Sequence, residues 1–88
     1  MTDREIEINK RIFAGRYGVP VEKVKAIPKN ELEVGTIYQG HCRNADDARW
    51  NGKKFVYERY KFGYVYDEEI NHYEDDDGYD VFVPMKII

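Results

Sequence analysis

Apolar and polar residues do not keep one period along this chain. Residues 2–17 carry Ile6, Ile8, Ile12 and Phe13 as a partial stripe at helical spacing. Thr2 or Asp3 can cap such a helix, Glu5 and Glu7 suit its positive end, and Pro20 ends it after Gly15 and Gly18. In residues 21–27, Val21, Val24 and Ile27 recur every three positions, which suits a short helical turn or an extended arm. From Glu33 onward the pattern changes to strands.

Residues 36–43 form the first strand candidate. Asn51-Gly52 then suits a type I′ hairpin, with 54–62 as its return strand and Gly63 as a bulge or bend. Residues 64–70 start as a strand and leave as a loop, 74–78 read as an acidic turn, and 79–88 read as a last strand. Pro84 points to an edge or strand-end position there. The pattern predicts a single α+β domain over 1–88. Its helical N-terminal segment is 1–30. Its β-rich, ligand-binding core over 33–88 is a small twisted antiparallel or barrel-like sheet of four to five strands.

Length limits the core. A chain of 88 residues buries roughly 60 to 65% of the surface exposed by its unfolded form, so association of subunits would help stability. Cys42 is the only cysteine, which excludes an internal disulfide and suits a reducing compartment. There is no apolar run of membrane-spanning length and no signal-peptide pattern at the N-terminus. These features lead to the expectation of a soluble cytoplasmic protein.

Charge alters the functional picture. The net charge is −3, distributed as +3 over residues 1–30, +1 over 31–66 and −7 over 67–88. A field of that sign discourages binding to long nucleic acids, so no DNA partner is expected, yet a local cluster of cations can still hold a small anion. Residues 55–66 are such a cluster, with six aromatic residues out of twelve around Arg59 and Lys61. On a strand, Phe55, Tyr57, Arg59 and Lys61 share one face, and Val56, Glu58, Tyr60 and Phe62 the other. Rings beside cations suit a nucleotide, whose base stacks on a ring and whose phosphate pairs with a guanidinium. The alternative is a thin core filled by the rings, with the cations reaching out to water.

The segment 41–50 adds Arg43, a bidentate donor for phosphate or a guanine edge, and Asn44, which offers both a donor and an acceptor. Trp50 can stack on a base or anchor the core.

Catalysis finds little support. The chain has no serine, and its threonines are Thr2 and Thr36. His41 and Cys42 point to opposite faces of a strand, and together with His72 they lack zinc-site spacing. Aligning Gly78 with the glycine of an EF-hand loop puts Tyr73 and Pro84 where acidic ligands belong. Neither a catalytic residue nor a metal or other cofactor is expected.

The runs 42–50 (Cys-Arg-Asn-Ala, then Ala-x-Trp), 51–63 (ending Arg-Tyr-Lys-Phe-Gly) and 74–84 (ending Asp-Val-Phe-x-Pro) together resemble a family of very small bacteriophage proteins, the anti-CBASS sponges. The resemblance covers about residues 33–87 and leaves out the first thirty. It implies a phage immune-evasion protein acting in the host cell cytoplasm. Such a protein is a homo-oligomer, a tetramer, that holds the cyclic dinucleotide 3′3′-cGAMP without cleaving it. On physical grounds, Arg43, Arg59 and Lys61 are assigned to phosphates, Tyr38, Trp50 and Tyr57 to base stacking, and Asn44 to a base edge. The alternative function is a phage host-takeover protein that inhibits a bacterial protein through its acidic segment, and a small phosphodiesterase or a single-stranded RNA binder are weaker options.

Overall fold

The computed structural model describes residues 1–76 and 80–88. Helix α1 spans Asp3–Tyr17. Thr2 caps it, its side chain accepting a hydrogen bond from the Glu5 amide at 3.2 Å. Gly18 ends it in the left-handed conformation at φ 66°, its amide reaching the Ala14 carbonyl. Only Phe13 and Ala14 are buried, whereas Ile8 and Ile12 stay exposed. The predicted stripe is thus narrower than expected, because the helix packs on the sheet through its C-terminal half.

Six strands follow: β1 (Val24–Ala26), β2 (Ile37–His41), β3 (Asp47–Trp50), β4 (Phe55–Lys61), β5 (Tyr64–His72) and β6 (Val81–Ile87). The segment 21–27 is both things expected of it, a single 3-10 turn at Val21–Lys23 and then β1. The N-terminal segment therefore supplies a strand as well as a helix. The sheet order is β1-β6-β2-β3-β4-β5, and β5 also pairs with β6. That second pairing closes β6-β2-β3-β4-β5 into a barrel-like ring, with β1 added outside β6. All pairings are antiparallel except β5–β6, where Asn71 meets Val81 and His72 meets Phe82.

Pro84 departs from the edge position expected of it. It is fully buried inside β6, opposite Gly40. The position tolerates proline because it lies where the β2 ladder ends and the β1 ladder begins, so its missing amide costs little. Its carbonyl accepts from the Ile27 amide at 2.8 Å. Gly40 is required opposite it, since an added methyl would stand 2.1 Å from the Val83 carbonyl oxygen.

The two tight turns exchange roles relative to expectation. Trp50 pairs with Phe55, which leaves a four-residue connection over 51–54. There the Asn51 side chain accepts from the amides of Lys53 and Lys54 at 2.9 and 2.8 Å, and Gly52 alone has positive φ. The type I′ geometry instead falls at Phe62-Gly63, with φ of 52° and 83°, between the paired residues Lys61 and Tyr64. The strand after it continues to His72 and does not leave as a loop at 70. Of the predicted acidic turn and the start of the last strand, Asp77, Gly78 and Tyr79 lie outside the described residues.

Two clusters form the core. Cys42, Ala48, Trp50, Phe55, Tyr57, Ile70 and Phe82 fill the barrel, and Phe13, Ala14, Val24, Val83 and Met85 join the helix to its outside. Strand β6 serves both, with Phe82 pointing inward and Val83 and Met85 toward the helix, as strand alternation dictates. His72 is fully buried among them. Its Nε2 meets the Ile27 carbonyl at 3.0 Å and its Nδ1 accepts from the Glu74 amide at 3.0 Å. Those partners fix the neutral tautomer with the proton on Nε2, and burial lowers its pKa.

Candidate functional site

The β4–β5 hairpin is longer than the barrel needs. β3 leaves β4 after Val56, and β6 joins β5 only at Asn71. Between those points, among the described residues, the ladder from Tyr57–Glu68 to Lys61–Tyr64 has no third strand and projects as a two-stranded ribbon. Directly opposed residues share a face. One face carries Arg59 opposite Tyr66 and Lys61 opposite Tyr64, and it continues inward to Tyr57 and Phe55 in the core. The other carries Glu58 opposite Asp67 and Tyr60 opposite Val65.

The seven residues expected at the site fall into four places. Trp50 is only 4% exposed, with its ring 4.9 Å from Phe55 and 6.2 Å from His72. It anchors the core and offers no stacking surface, which corrects its assignment. Tyr38 is half-buried with its ring edge-on to Phe55, and its hydroxyl accepts from the Glu33 amide at 2.7 Å. It braces the 33–38 turn, and part of its surface remains exposed. Arg43, Asn44 and Tyr57 meet at the mouth of a cavity of about 340 Å³ at the base of the ribbon. Tyr57 is buried, so it forms a wall and leaves no open ring face. Arg59 and Lys61 lie further out on the ribbon, where Lys61 sits 5.4 Å from the centre of the Phe62 ring.

Glu68 organises the junction. Its Oε2 accepts from the Tyr57 hydroxyl at 2.8 Å and from Arg59 Nη1 at 3.2 Å. Burial and then this carboxylate push the Tyr57 pKa up. Around the cavity, Glu68, Glu69, Asp76 and Asp80 face two cations, Arg43 and Lys54. A phosphate is disfavoured inside, whereas amino and imino groups of a base find acceptors. The other two cations, Arg59 and Lys61, lie outside it on the ribbon.

The sequence reading missed Tyr64, Tyr66 and Glu68. The signal was Gly63: a two-residue turn at 62–63 sets 61 opposite 64, 59 opposite 66 and 57 opposite 68.

Elsewhere, a groove of about 620 Å³ on the outer sheet face holds Asp46, Asp47, Glu58 and Asp67 with Arg49. Another of about 420 Å³ lies between α1 and the barrel, lined by Ile8, His41, Cys42 and Val81 among others. Cys42 is buried, its thiol pKa is raised mainly by that burial, and it points at the Ala45 carbonyl at 3.5 Å. His72, with both ring nitrogens bonded in the core, is no base for it. Among the described residues no group of three or more His, Cys, Asp or Glu is placed to hold a metal ion, and no helix is long and apolar enough to cross a membrane.

No protein-family model, curated protein or solved structure matches this chain.

Proposed function

We propose that this chain binds a cyclic dinucleotide of the 3′3′-cGAMP kind and sequesters it without cleavage, as a phage protein that blocks CBASS defence in the host cytoplasm. The observation that carries the reading is the pairing of Arg59 with Tyr66 and of Lys61 with Tyr64 on one exposed face. The tyrosines stack on bases, and the cations meet phosphates. Asn44 and the carboxylates Glu69, Asp76 and Asp80 of the cavity face the donors on a base edge, and Arg43 donates to an acceptor there. The resemblance of residues 42–50, 51–63 and 74–84 to the sponge family suggests the ligand.

The magnitudes are compatible. Sequestration against a receptor needs a nanomolar Kd, about −12 kcal/mol. Two base stacks contribute roughly 2–6 kcal/mol, and charge-assisted bonds to two phosphates roughly 1.5–3 kcal/mol each. A single ribbon is a flat face, so the balance comes from enclosure by a second copy in a homo-oligomer such as a tetramer. A two-fold arrangement presents each group twice to a ligand that is itself nearly two-fold.

Calorimetric titration with 3′3′-cGAMP, followed by heating and chromatography of the released nucleotide, tests it. Tight binding with intact release is expected. Absence of heat with that ligand and with other cyclic nucleotides would refute it.

The carboxylates of the cavity and of the outer groove favour a second reading, a host-takeover protein that docks a basic bacterial partner. Neutralising Asp75, together with Asp77 outside the described residues, would abolish that activity and leave nucleotide binding nearly intact, whereas neutralising Asp76, which lines the cavity, would weaken both.

A further inference from the structure

The two edges of the projecting ribbon differ in kind. Along β4, residues 57–61 include Glu58, Arg59 and Lys61, and charges of this density keep an edge from pairing. Along β5, residues 64–66 read Tyr-Val-Tyr, without charge, proline or glycine. They are 75%, 64% and 39% exposed, and β6 covers β5 only from Asn71. Aromatic and β-branched residues suit a paired strand, so among the described residues this is an open edge without the usual protection.

We propose that the β5 edges of two copies of this chain pair antiparallel about a two-fold axis at Val65, giving a four-stranded sheet in the order β4-β5-β5-β4. The charge pattern selects both the edge and the register. A two-fold axis normal to a sheet sets residues of the same parity opposite one another. Centred on Val65, it pairs Val65 with its copy and Tyr64 with Tyr66, and no like charges meet. Centred on Tyr66, it sets Val65 against Asp67. Centred on Asp67, it opposes two carboxylates. The β4 edge has no comparable solution: centred on Arg59 it opposes two guanidiniums, and centred on Tyr60 it sets Arg59 against Lys61 twice. Like charges directly opposite are destabilising.

The pairing goes beyond the nucleotide reading and does not depend on it, but it has a consequence for it. Arg59, Lys61, Tyr64 and Tyr66 of both copies come to lie on one continuous face, so the half-site on one ribbon becomes a two-fold site.

Sedimentation of the ligand-free chain and a cysteine pair test the proposal. Dimers or larger even-numbered oligomers are expected, and Val65→Lys should halve the subunit number of a chain still folded by circular dichroism. Under mild oxidation Val65→Cys should cross-link, because paired strands bring Cα atoms within disulfide range. Tyr60→Cys lies opposite Val65 within one copy, and in the four-stranded sheet it would stand about 14 Å from its equivalent, so it should not cross-link. Buried Cys42 does not compete. A monomer at every concentration, an oligomer of unchanged size in Val65→Lys, or equal cross-linking at positions 60 and 65 would overturn the pairing. Dimers that take up no nucleotide would leave the pairing standing and remove the sponge reading.

Discussion

Arg59 lies directly opposite Tyr66 across the β4–β5 ladder, and its guanidinium also reaches Glu68 on the neighbouring pair at 3.2 Å. A ligand phosphate must therefore compete with Glu68 for that guanidinium. Glu68→Gln keeps an acceptor for the Tyr57 hydroxyl and removes the competing charge. It should tighten 3′3′-cGAMP binding by roughly threefold to tenfold, whereas Arg59→Glu should weaken it by roughly a hundredfold or more. Titration calorimetry on both variants, with thermal melting as a control for folding, measures the two effects. Equal affinity in both would remove Arg59 from the site.

Trp50 gives the opposite kind of outcome. Trp50→Ala should cost roughly 3–5 kcal/mol through the cavity it leaves, a large share of the stability of a small domain. Trp50→Phe should cost less and leave ligand affinity unchanged once the protein is folded. Urea denaturation alongside titration separates the two.

Phe62 occupies a left-handed conformation at φ 52° with its ring 86% exposed. That backbone costs a non-glycine residue about 1 kcal/mol or more, and asparagine less. Phe62→Asn should therefore raise the melting temperature by roughly 4–8 °C for each kcal/mol relieved. A fall in melting temperature would show that the ring makes contacts that outweigh the strain.

His72 sets an acid limit. Its folded-state pKa is lowered by burial, and protonation would set an N–H against the Glu74 amide that now donates to Nδ1. With the folded pKa below the ordinary value near 6.5, the contribution of His72 to stability is complete above that pH. It declines as pH falls from there toward the folded-state pKa. Denaturation midpoints should drop between neutral pH and pH about 5, and the drop should shrink in His72→Gln.

Much of the architecture was legible because local signals agreed with it. Thr2, Gly18 and Pro20 bound α1, and the β pattern after Glu33 places β2, β3 and β4. The turn assignment failed for a physical reason. Asn-Gly has the stronger propensity, but the barrel needs Trp50 opposite Phe55, which lengthens the 51–54 connection and moves the type I′ turn to a phenylalanine. Alternation put Trp50 on a definite face without telling which face was inside, since that depends on how β6 closes the ring. Arg43, Asn44 and Tyr57 do converge, while Arg59 and Lys61 needed the register across Gly63 to reveal their tyrosine partners.

β6 touches β1, β2 and β5, and both core clusters draw on it. The pairings with β1 and β2 join residues far apart in sequence, and such long loops close slowly. On the ribosome, residues 1–76 can form α1 and the β2–β5 meander, yet the ring stays open until residues 81–87 emerge. Throughout that interval β5 lacks its parallel partner at Asn71 and His72, so closing the ring also covers the end of β5.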